Sequence, residues 1–320
     1  MKRVLIVGLG RIGMGYDLSI AGGRRVETHA SAFSAHEAFE LVGGVDPDAS
    51  CRRLFERTYR QPSYGELEPA LRSVSADVVV IAVPTAYHRP TIEAILKVSP
   101  PEAILCEKPL SFLLNDARII VDLCKRVKTK LFVNYVRRCD PGINIVRVKI
   151  TRGELRGPVE GVVRYANGLL NSGSHFVNLM EYWLGPVLSG ELIREGKTLG
   201  SGDTEADILL RFVLGNVMFQ SPNTRGSQEC SVNLRFNNGC LEYDRRQSEI
   251  MWKTQHSEDG DEPRLFWQEE IIKNDSARYQ WYVADELVKA LNGASSNICS
   301  GDAALMTLMN IASVFGGKRD

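Results

Sequence analysis

The sequence predicts an α/β domain with a doubly wound parallel sheet, followed by an α+β domain with a mostly antiparallel sheet. Over the first 135 residues, short apolar runs alternate with longer amphipathic stretches, which is typical of parallel strands covered by helices. From residue 187 to 254, strand-like runs are separated by turn signals such as Asn237-Asn238-Gly239, which favour antiparallel hairpins with one polar face. We therefore predict one domain over residues 1–135 and a second over residues 136–320.

The individual elements follow from the same patterns. Strands buried on both faces are predicted at Val4–Val7, Leu41–Val45, Val78–Val83, Ala103–Cys106 and Leu131–Asn134. Helices are predicted at Pro47–Thr58, Pro90–Leu96, Asn115–Val127 and Pro141–Arg152. Later elements are predicted as a strand at Val159–Tyr165 and helices at Ala277–Leu291 and Asp302–Val314.

Composition indicates an ordinary globular protein and argues against several function classes. Hydrophobic residues make up 44% and charged residues 24% of the 320 residues. Because 39 basic and 39 acidic side chains cancel, no electrostatic argument favours binding to nucleic acid or to an anionic membrane. The apolar run Ala76–Pro84 is far shorter than the roughly 20 residues that cross a bilayer.

Cysteine usage predicts a reducing compartment. Seven cysteines without a CxxC pair argue against a disulfide framework and against a sulfur-based zinc site, and no tight group of His, Asp and Glu suggests another metal. A first strand that begins at Arg3 leaves no room for a signal peptide. We therefore expect a cytoplasmic protein that needs no metal.

Gly8, Gly10 and Gly13 form a GxGxxG sequence directly after the first predicted strand. In this pattern the first glycine permits a tight turn, the second lets the backbone approach a pyrophosphate, and the third lets a helix pack closely on the strand. The N–H groups that open the following helix, from Arg11, Ile12 and Gly13, would face the phosphates. The loop therefore predicts a dinucleotide-binding Rossmann domain.

Asp46 ends the second predicted strand and is the candidate ligand for the adenosine ribose. Its carboxylate would accept hydrogen bonds from both ribose hydroxyls and repel a 2′-phosphate, which favours NAD over NADP. Asp46 followed by Pro47 is also a good helix N-cap, and the two roles are compatible. Arg52 and Arg53 follow one to two helical turns later and keep NADP as an alternative.

An insertion lengthens the first crossover of the predicted domain. Asp46 lies 38 residues after Gly8, whereas the acidic residue of this fingerprint usually follows about 20 residues on. The extra residues, 14–38, include Arg24 and Arg25, whose guanidinium groups are suited to an anionic part of a substrate. A solvated surface loop is the alternative interpretation of this pair.

Glu107-Lys108-Pro109 follows the predicted strand that ends at Cys106. Proline restricts the residue before it to extended geometry, so Lys108 is aimed in a defined direction at a strand-to-helix junction. An amine at the carboxyl edge of such a sheet lies where the reactive ring of a dinucleotide is expected. Lys108 is therefore the candidate for proton transfer, whereas Cys106 is interpreted as a buried core thiol.

Five features in order along the chain resemble the Gfo/Idh/MocA oxidoreductases. They are the GLGRIG loop, Asp46-Pro47, Val83-Pro84-Thr85 with His88, Glu107-Lys108-Pro109, and the segment from Asn171 to His175. The resemblance spans nearly the whole chain. It implies a Rossmann domain, a C-terminal domain built on an open, largely antiparallel sheet, and NAD(P)-dependent redox chemistry on a sugar, a cyclitol or a related carbinol.

The resemblance also implies roles for individual residues of the first domain. Lys108 corresponds to the usual proton-transfer residue, and Glu107 adjoins it in the cofactor site. Pro84 and His88 would border the nicotinamide and its ribose. Tyr135 and Arg138 match a link after the last Rossmann strand that contacts substrate, although Arg138 could equally brace the domain junction.

The second domain departs from the family pattern at one position. An Asp-x-x-x-His sequence is usual there, and this chain has Asn171 and His175. At this spacing both side chains would lie on one face of a helix and address the same substrate hydroxyls. An amide cannot ionise, so Asn171 cannot act as a base. The alternatives are a helix N-cap for Asn171 and a core histidine for His175.

The predicted function is a dehydrogenase or ketoreductase with NAD, or alternatively NADP, acting on a sugar, nucleotide-sugar or cyclitol. A non-catalytic regulator that senses a dinucleotide or sugar with the same fold is the alternative, and a reductase of a linear tetrapyrrole is a third interpretation. The polar-faced sheet of the second domain predicts a homodimer or homotetramer.

Overall fold

The computed structural model describes residues 1–18, 25–199, 202–221, 230–244, 249–257 and 265–316. The chain forms two compact units. Among the described residues, the first contains those in 1–139 and 277–305, and the second contains those in 140–276 and 306–316. Among the described residues, no helix combines the length and the apolar character that crossing a bilayer requires.

Six parallel strands form the sheet of the first unit among the described residues. They are β1 (Lys2–Val7), β2 (Phe39–Val45), β3 (Ser63–Tyr64), β4 (Val78–Ile81), β5 (Ala103–Cys106) and β6 (Lys130–Val133). Their order across the sheet is β3-β2-β1-β4-β5-β6, the order of doubly wound dinucleotide-binding domains. The predicted fold class of this unit is therefore confirmed.

Helices connect the strands of the first unit. They are α1 (Tyr16–Leu18), α2 (His29–Ala35), α3 (Ala49–Tyr59), α4 (Leu67–Ser73), α5 (His88–Val98) and α6 (Leu114–Arg126). The helices α2 and α4 and the short strand β3 were not predicted. The central strands β1, β4 and β5 are apolar throughout their buried length, because helices cover a parallel sheet on both faces.

A segment from the end of the chain completes the first unit. The helix α9 (Tyr279–Leu291) contributes Val283, Ala284 and Leu287 to the same core as Val4, and all four are at most 1% exposed. A backbone hydrogen bond of 2.8 Å from Val26 N to the Ala277 carbonyl anchors this segment. Periodicity gives the position of such a helix along the chain but not the unit it packs on, so the sequence offered only a linear boundary at residue 135.

Among the described residues, eight strands form the sheet of the second unit, in the order β14-β13-β12-β11-β7-β10-β9-β8. The pair β7 and β10 is parallel, and the other neighbouring pairs are antiparallel, as predicted for an open, mostly antiparallel sheet. The strands are β7 (Val159–Arg164), β8 (Val187–Arg194), β9 (Asp207–Phe212), β10 (Gly215–Gln220), β11 (Ser231–Phe236), β12 (Gly239–Asp244), β13 (Glu249–Ser257) and β14 (Leu265–Lys273).

One face of this sheet is buried and the other is open. Along β11, Val232 and Leu234 are fully buried, whereas Asn233 is half-buried and Arg235 is exposed. This alternation of buried and exposed side chains along β11 is the pattern of an antiparallel sheet with a single covered face.

The remaining helices are α7 (Pro141–Thr151), α8 (Ser174–Leu184) and α10 (Gly301–Ser313).

Candidate dinucleotide site and proton-transfer residue

Two glycines of the loop after β1 are required by close backbone packing. Gly8 has φ +98°, and a Cβ there would lie 2.6 Å from the carbonyl carbon of Ala82. A Cβ on Gly13 would lie 2.1 Å from the carbonyl oxygen of Gly8. Neither position can hold a side chain without moving backbone, which matches the tight-turn and helix-packing roles of these two glycines.

Gly10 differs, because its surroundings are open. Its φ of −71° suits any residue, and a Cβ would meet no described atom within 4 Å. The Gly10 carbonyl accepts hydrogen bonds of 3.0 Å from Met14 N and Gly15 N, which closes a π-helical turn over Arg11–Gly15. An open approach to the backbone beside the first N–H groups of a helix is what a pyrophosphate needs.

Asp46 lies half-buried directly after β2. Its Oδ2 accepts a 2.8 Å hydrogen bond from Leu9 N in the glycine loop, and its Oδ1 accepts one of 2.8 Å from Asp48 N. A carboxylate has about four acceptor positions, so both oxygens retain capacity for ribose hydroxyls. The N-cap of α3 is Asp48, which accepts from Ser50 N, and the capping alternative for Asp46 is therefore wrong.

The two arginines that kept NADP as an alternative differ in their contacts. Arg52 Nη1 donates to the carbonyls of Asp46 and Pro47 at 2.8 and 2.9 Å. Arg53 is exposed on α3. Since Arg52 is tied to backbone next to Asp46, its guanidinium stabilises the strand end that presents the carboxylate.

His88 is buried behind the loop that follows β4. Its side chain is 1% exposed, with Nε2 3.0 Å from the Val83 carbonyl and Nδ1 3.2 Å from the Leu110 carbonyl. Burial lowers the pKa of His88, although the two carbonyls act in the opposite direction. The ring thus joins the loops after β4 and β5, a bracing position, whereas Pro84 is exposed at the start of the turn Thr85–Tyr87.

Glu107 and Lys108 occupy the carboxyl end of β5, and the Lys108–Pro109 peptide bond is cis. Glu107 Oε1 accepts hydrogen bonds from His29 Nε2 at 2.8 Å and from Asn134 Nδ2 at 2.6 Å. Burial opposes ionisation of Glu107, but the hydrogen bond and charge of His29, with Asn134 and Lys108, lower its pKa. Glu107 therefore provides a largely buried carboxylate, 13% exposed, next to the half-buried Lys108.

The sequence analysis assigned no role in the site to three polar residues near Glu107. His29 begins α2 inside the predicted insertion, Asn134 follows β6, and Gln280 lies in the first turn of α9. Asn134 had a usable signal, because β5 and β6 are neighbours and their carboxyl ends meet at one sheet edge. His29 and Gln280 had none, because helix packing brings them there.

The remaining candidates of the first unit have varied surroundings. Tyr135 is 2% exposed, and Arg138 is half-buried with Nη1 3.6 Å from Cys299 Sγ. Arg25 is exposed and its Nη1 lies 3.2 Å from Glu27 Oε1. Arg24 lies outside the described residues.

In the second unit, Asn171 lies in a π-helical turn, Leu169–Gly173, that leads directly into α8. Its N–H donates to Asp203 Oδ2 at 2.9 Å, and its exposed side chain donates to the Asn167 carbonyl at 3.2 Å. It sits inside the turn, so the N-cap alternative is wrong. His175 is half-buried in the first turn of α8, and the prediction that both residues share one regular α-helix is corrected to a π-turn followed by an α-helix.

Asp203 is a further residue that the sequence did not reveal. Its carboxylate is 1% exposed and accepts from the N–H groups of Leu170 and Thr204 as well as Asn171, at 3.0, 2.7 and 2.9 Å. It therefore fixes the turn that presents Asn171. Within the described ranges, no group of three or more His, Cys, Asp or Glu side chains is arranged to hold a metal ion.

The glycine loop, Asp46 and the Glu107-Lys108 turn define a dinucleotide-binding domain of the Rossmann class. Residues 2–135 match the sequence model of the Gfo/Idh/MocA family, described as an oxidoreductase family with an NAD-binding Rossmann fold. This region of the chain thus matches the NAD-binding domain of the family that the sequence resemblance predicted.

Curated relatives match part of the chain. Inositol 2-dehydrogenase of Corynebacterium glutamicum is 31% identical over 153 residues, which cover 48% of this chain and 42% of that protein. The rhizopine catabolism protein MocA of Rhizobium meliloti is 25% identical over 206 residues, covering 59% of this chain and 63% of the relative. Each match thus spans less than two thirds of the relative's own length.

Solved structures match the fold over the full chain. The WlbA dehydrogenase of Bordetella pertussis, in complex with NADH and UDP-GlcNAcA, has a TM-score of 0.74 at 19% identity and covers 99% of this chain and 96% of its own. An oxidoreductase of Agrobacterium radiobacter, in complex with NAD+, L-tartaric acid and magnesium, has a TM-score of 0.75 at 16% identity. The match covers 98% of this chain and 95% of that protein.

Proposed function

We propose that this protein is an NAD(H)-dependent oxidoreductase that transfers a hydride to or from a carbinol or keto carbon of a sugar, nucleotide-sugar or cyclitol. The observation that carries the proposal is the position of Lys108, at the carboxyl end of β5 and next to the largely buried carboxylate of Glu107. The glycine loop follows β1 at the same edge of the parallel sheet. Ligands of open α/β sheets bind at this edge.

Lys108 carries the proton transfer in this proposal. A bound nicotinamide dinucleotide supplies the hydride acceptor or donor. As the hydroxyl-bearing carbon loses hydride, Lys108 Nζ accepts the hydroxyl proton, and in reduction it returns that proton to the carbonyl oxygen. A positioned acid–base group of this kind contributes about 10² to 10⁴ in rate.

Substrate recognition is assigned to the remaining candidates. His175 orients the reacting hydroxyl, and Asn171, which can donate and accept hydrogen bonds without ionising, binds a neighbouring one. Tyr135 and Arg138 are the other candidates for contact with the substrate. Arg25, exposed beside the part of the insertion that contains Arg24, is suited to an anionic group.

The relatives support a polyhydroxylated substrate. Those with dehydrogenase names act, by those names, on inositol, glucose 6-phosphate, D-xylose and D-apiose. Two structural neighbours are complexes with the nucleotide-sugar acid UDP-GlcNAcA. We propose a cytoplasmic location on the cysteine pattern described above.

A substrate screen tests the proposed function. Purified protein is incubated with NAD+ or NADP+ and a panel of sugars, nucleotide-sugars and inositols, and reduced nicotinamide is followed by its absorbance. Turnover of at least one compound is expected. Tight NADH binding without turnover of any compound, in either direction, would instead favour the dinucleotide-sensing regulator.

The cofactor preference follows from Asp46. Its carboxylate accepts from a ribose diol and repels a 2′-phosphate, so NADH is expected to bind at least about tenfold more tightly than NADPH, or about 1.4 kcal/mol. Calorimetric titration measures both affinities. Asp46→Asn should raise the affinity for NADPH, and Asp48→Asn, which alters the N-cap of α3, serves as the control. Equal affinities of the wild type for NADH and NADPH would contradict the role of Asp46 and make Arg52 and Arg53 the candidates for binding the 2′-phosphate of NADPH.

A homodimer or homotetramer is proposed through the open face of the second sheet. An open depression of about 710 Å³ on this sheet is lined by residues including Arg164, Arg235 and Trp267. Trp267 and Ile271 on β14 are 54% and 52% exposed. Light scattering at micromolar concentration should give a multiple of the 35.6 kDa chain mass. Ile271→Glu should lower that mass, and a monomeric wild type would contradict the proposal.

A further inference from the structure

A cluster of polar side chains is buried directly behind Lys108. The Glu107 cluster consists of His29, Glu107, Asn134 and Gln280. The side chains of His29, Asn134 and Gln280 are at most 2% exposed, and that of Glu107 is 13% exposed. They come from the start of α2, the ends of β5 and β6, and the first turn of α9. Four separate segments of the first unit thus meet in this cluster.

Donors hold both oxygens of that carboxylate. Oε1 of Glu107 accepts from His29 Nε2 and Asn134 Nδ2 at 2.8 and 2.6 Å, and Oε2 accepts from the backbone N–H of Lys108 at 3.3 Å. Asn134 Nδ2 also lies 3.3 Å from Gln280 Oε1, which fixes the amide in the orientation that donates to Glu107. Hydrogen bonds to an ionised acceptor are about twice as strong as neutral ones, so Glu107 is held in one position.

Stability does not explain this arrangement. Within the described part of the chain, His29 Nδ1, Asn134 Oδ1 and Gln280 Nε2 are buried without a hydrogen-bond partner. Each such atom costs on the order of 1–3 kcal/mol, and apolar side chains of similar volume would fill the space at lower free energy. A partly satisfied polar network in a folded protein calls for a functional reason.

We propose that His29 is a positioning residue that acts through Glu107 to set the direction of Lys108. This inference rests on the proposed role of Lys108 in proton transfer. The Nε2–H of His29 anchors Glu107 Oε1, and the opposite oxygen of the same carboxylate anchors the Lys108 backbone. Without the His29 donor, Oε1 of Glu107 keeps only the hydrogen bond from Asn134, and the Lys108 amine loses its fixed relation to the carboxylate charge. A misplacement of about 1 Å costs up to 10²-fold in rate.

Two variants of His29 separate hydrogen bonding from packing. His29→Phe keeps the ring volume and removes the donor, whereas His29→Gln places an amide N–H near the position of Nε2. We expect His29→Phe to lower kcat at least about tenfold, with KM for substrate and for NADH within about twofold of wild type. The Gln variant should recover most of that loss. If the Phe variant does not fold, His29→Asn, whose shorter amide does not reach Glu107, replaces it.

The control is a second buried histidine, at the C-cap of the same helix. His36 directly follows α2, is 6% exposed, and has Nε2 3.7 Å from Asp285 Oδ1. His36→Phe should leave kcat unchanged. The double variant His29→Phe/Glu107→Gln should be no slower than Glu107→Gln alone, because residues that act through one another are not additive.

Labelling of Lys108 tests the inference without turnover. A limiting amount of acetic anhydride labels amines in proportion to their reactivity, and mass spectrometry of peptides reports Lys108 separately. Its labelling should change in His29→Phe and stay at the wild-type level in His29→Gln and His36→Phe. If the proposed function is wrong and the role of His29 is right, no compound is turned over and the labelling of Lys108 still follows this pattern. Wild-type kcat and labelling in His29→Phe, or equal losses in the Phe and Gln variants, overturn the role of His29.

Discussion

Lys108→Met should lower turnover by at least about 10²-fold while NADH binding stays within about twofold of wild type. Methionine keeps the unbranched apolar stem of lysine and removes the exchangeable proton, so the loss reports proton transfer rather than packing. Because Lys108 is half-buried at the end of β5, the substitution leaves the apolar strand beneath it unchanged. Steady-state kinetics and calorimetric titration of NADH measure the two quantities.

The matched control for this substitution is Lys97→Met on α5. Lys97 is exposed in the last turn of that helix, outside the candidate site. Its replacement should change neither turnover nor NADH affinity. Turnover of Lys108→Met near the wild-type rate would remove Lys108 from the chemistry, and a parallel loss of NADH binding would assign it to the cofactor instead.

Gly13→Ala and Gly10→Ala should affect different properties, stability and NADH affinity, although both add one methyl group to the same loop. A Cβ at Gly13 would lie 2.1 Å from the Gly8 carbonyl oxygen, so backbone has to move. We expect the free energy of unfolding to fall by at least about 2 kcal/mol. A Cβ at Gly10 meets no described atom within 4 Å, so stability should stay within about 0.5 kcal/mol while NADH affinity falls at least about tenfold.

Denaturant unfolding and NADH titration of the two variants form one comparison. Gly13→Ala tests packing of the first helix on β1, and Gly10→Ala tests the approach of the phosphates to the backbone. Unchanged NADH affinity in Gly10→Ala would mean that the dinucleotide does not pass over this loop. Unchanged stability in Gly13→Ala would contradict the close packing around Gly8.

The core of the first unit could be predicted from sequence because its strands are short, apolar and bounded by turns. Ala103–Cys106 was predicted with the bounds that the structure has, and the predicted strand Val4–Val7 lies within β1. The helix α2 escaped prediction because seven residues with three alanines and two serines carry little amphipathic signal. Its start is set by Thr28, which accepts from Ser31 N as an N-cap.

The residues of the candidate site also divide into those that could be predicted from the sequence and those that could not. Gly8, Gly13 and Asp46 could be found because backbone geometry or position at a strand end fixes the residue type. His29 bonds to Glu107, and Gln280 bonds to its neighbour Asn134, in a region where α2 packs against α9. Contacts between helices distant in sequence follow from the packed fold, and a linear pattern of residue types does not contain them.

The order of synthesis matters for this chain because residues 277–305 belong to the unit that begins at Met1. When the ribosome has made β6, the apolar surface around Val4 and Phe33 still lacks Leu287 and its neighbours on α9. At about 5–20 residues per second, the intervening segment takes roughly 10 to 30 s to emerge. During that interval the nascent nucleotide-binding unit exposes an incomplete core. Its folding therefore finishes late in translation, and chaperones that bind exposed apolar surface have their longest opportunity in that interval.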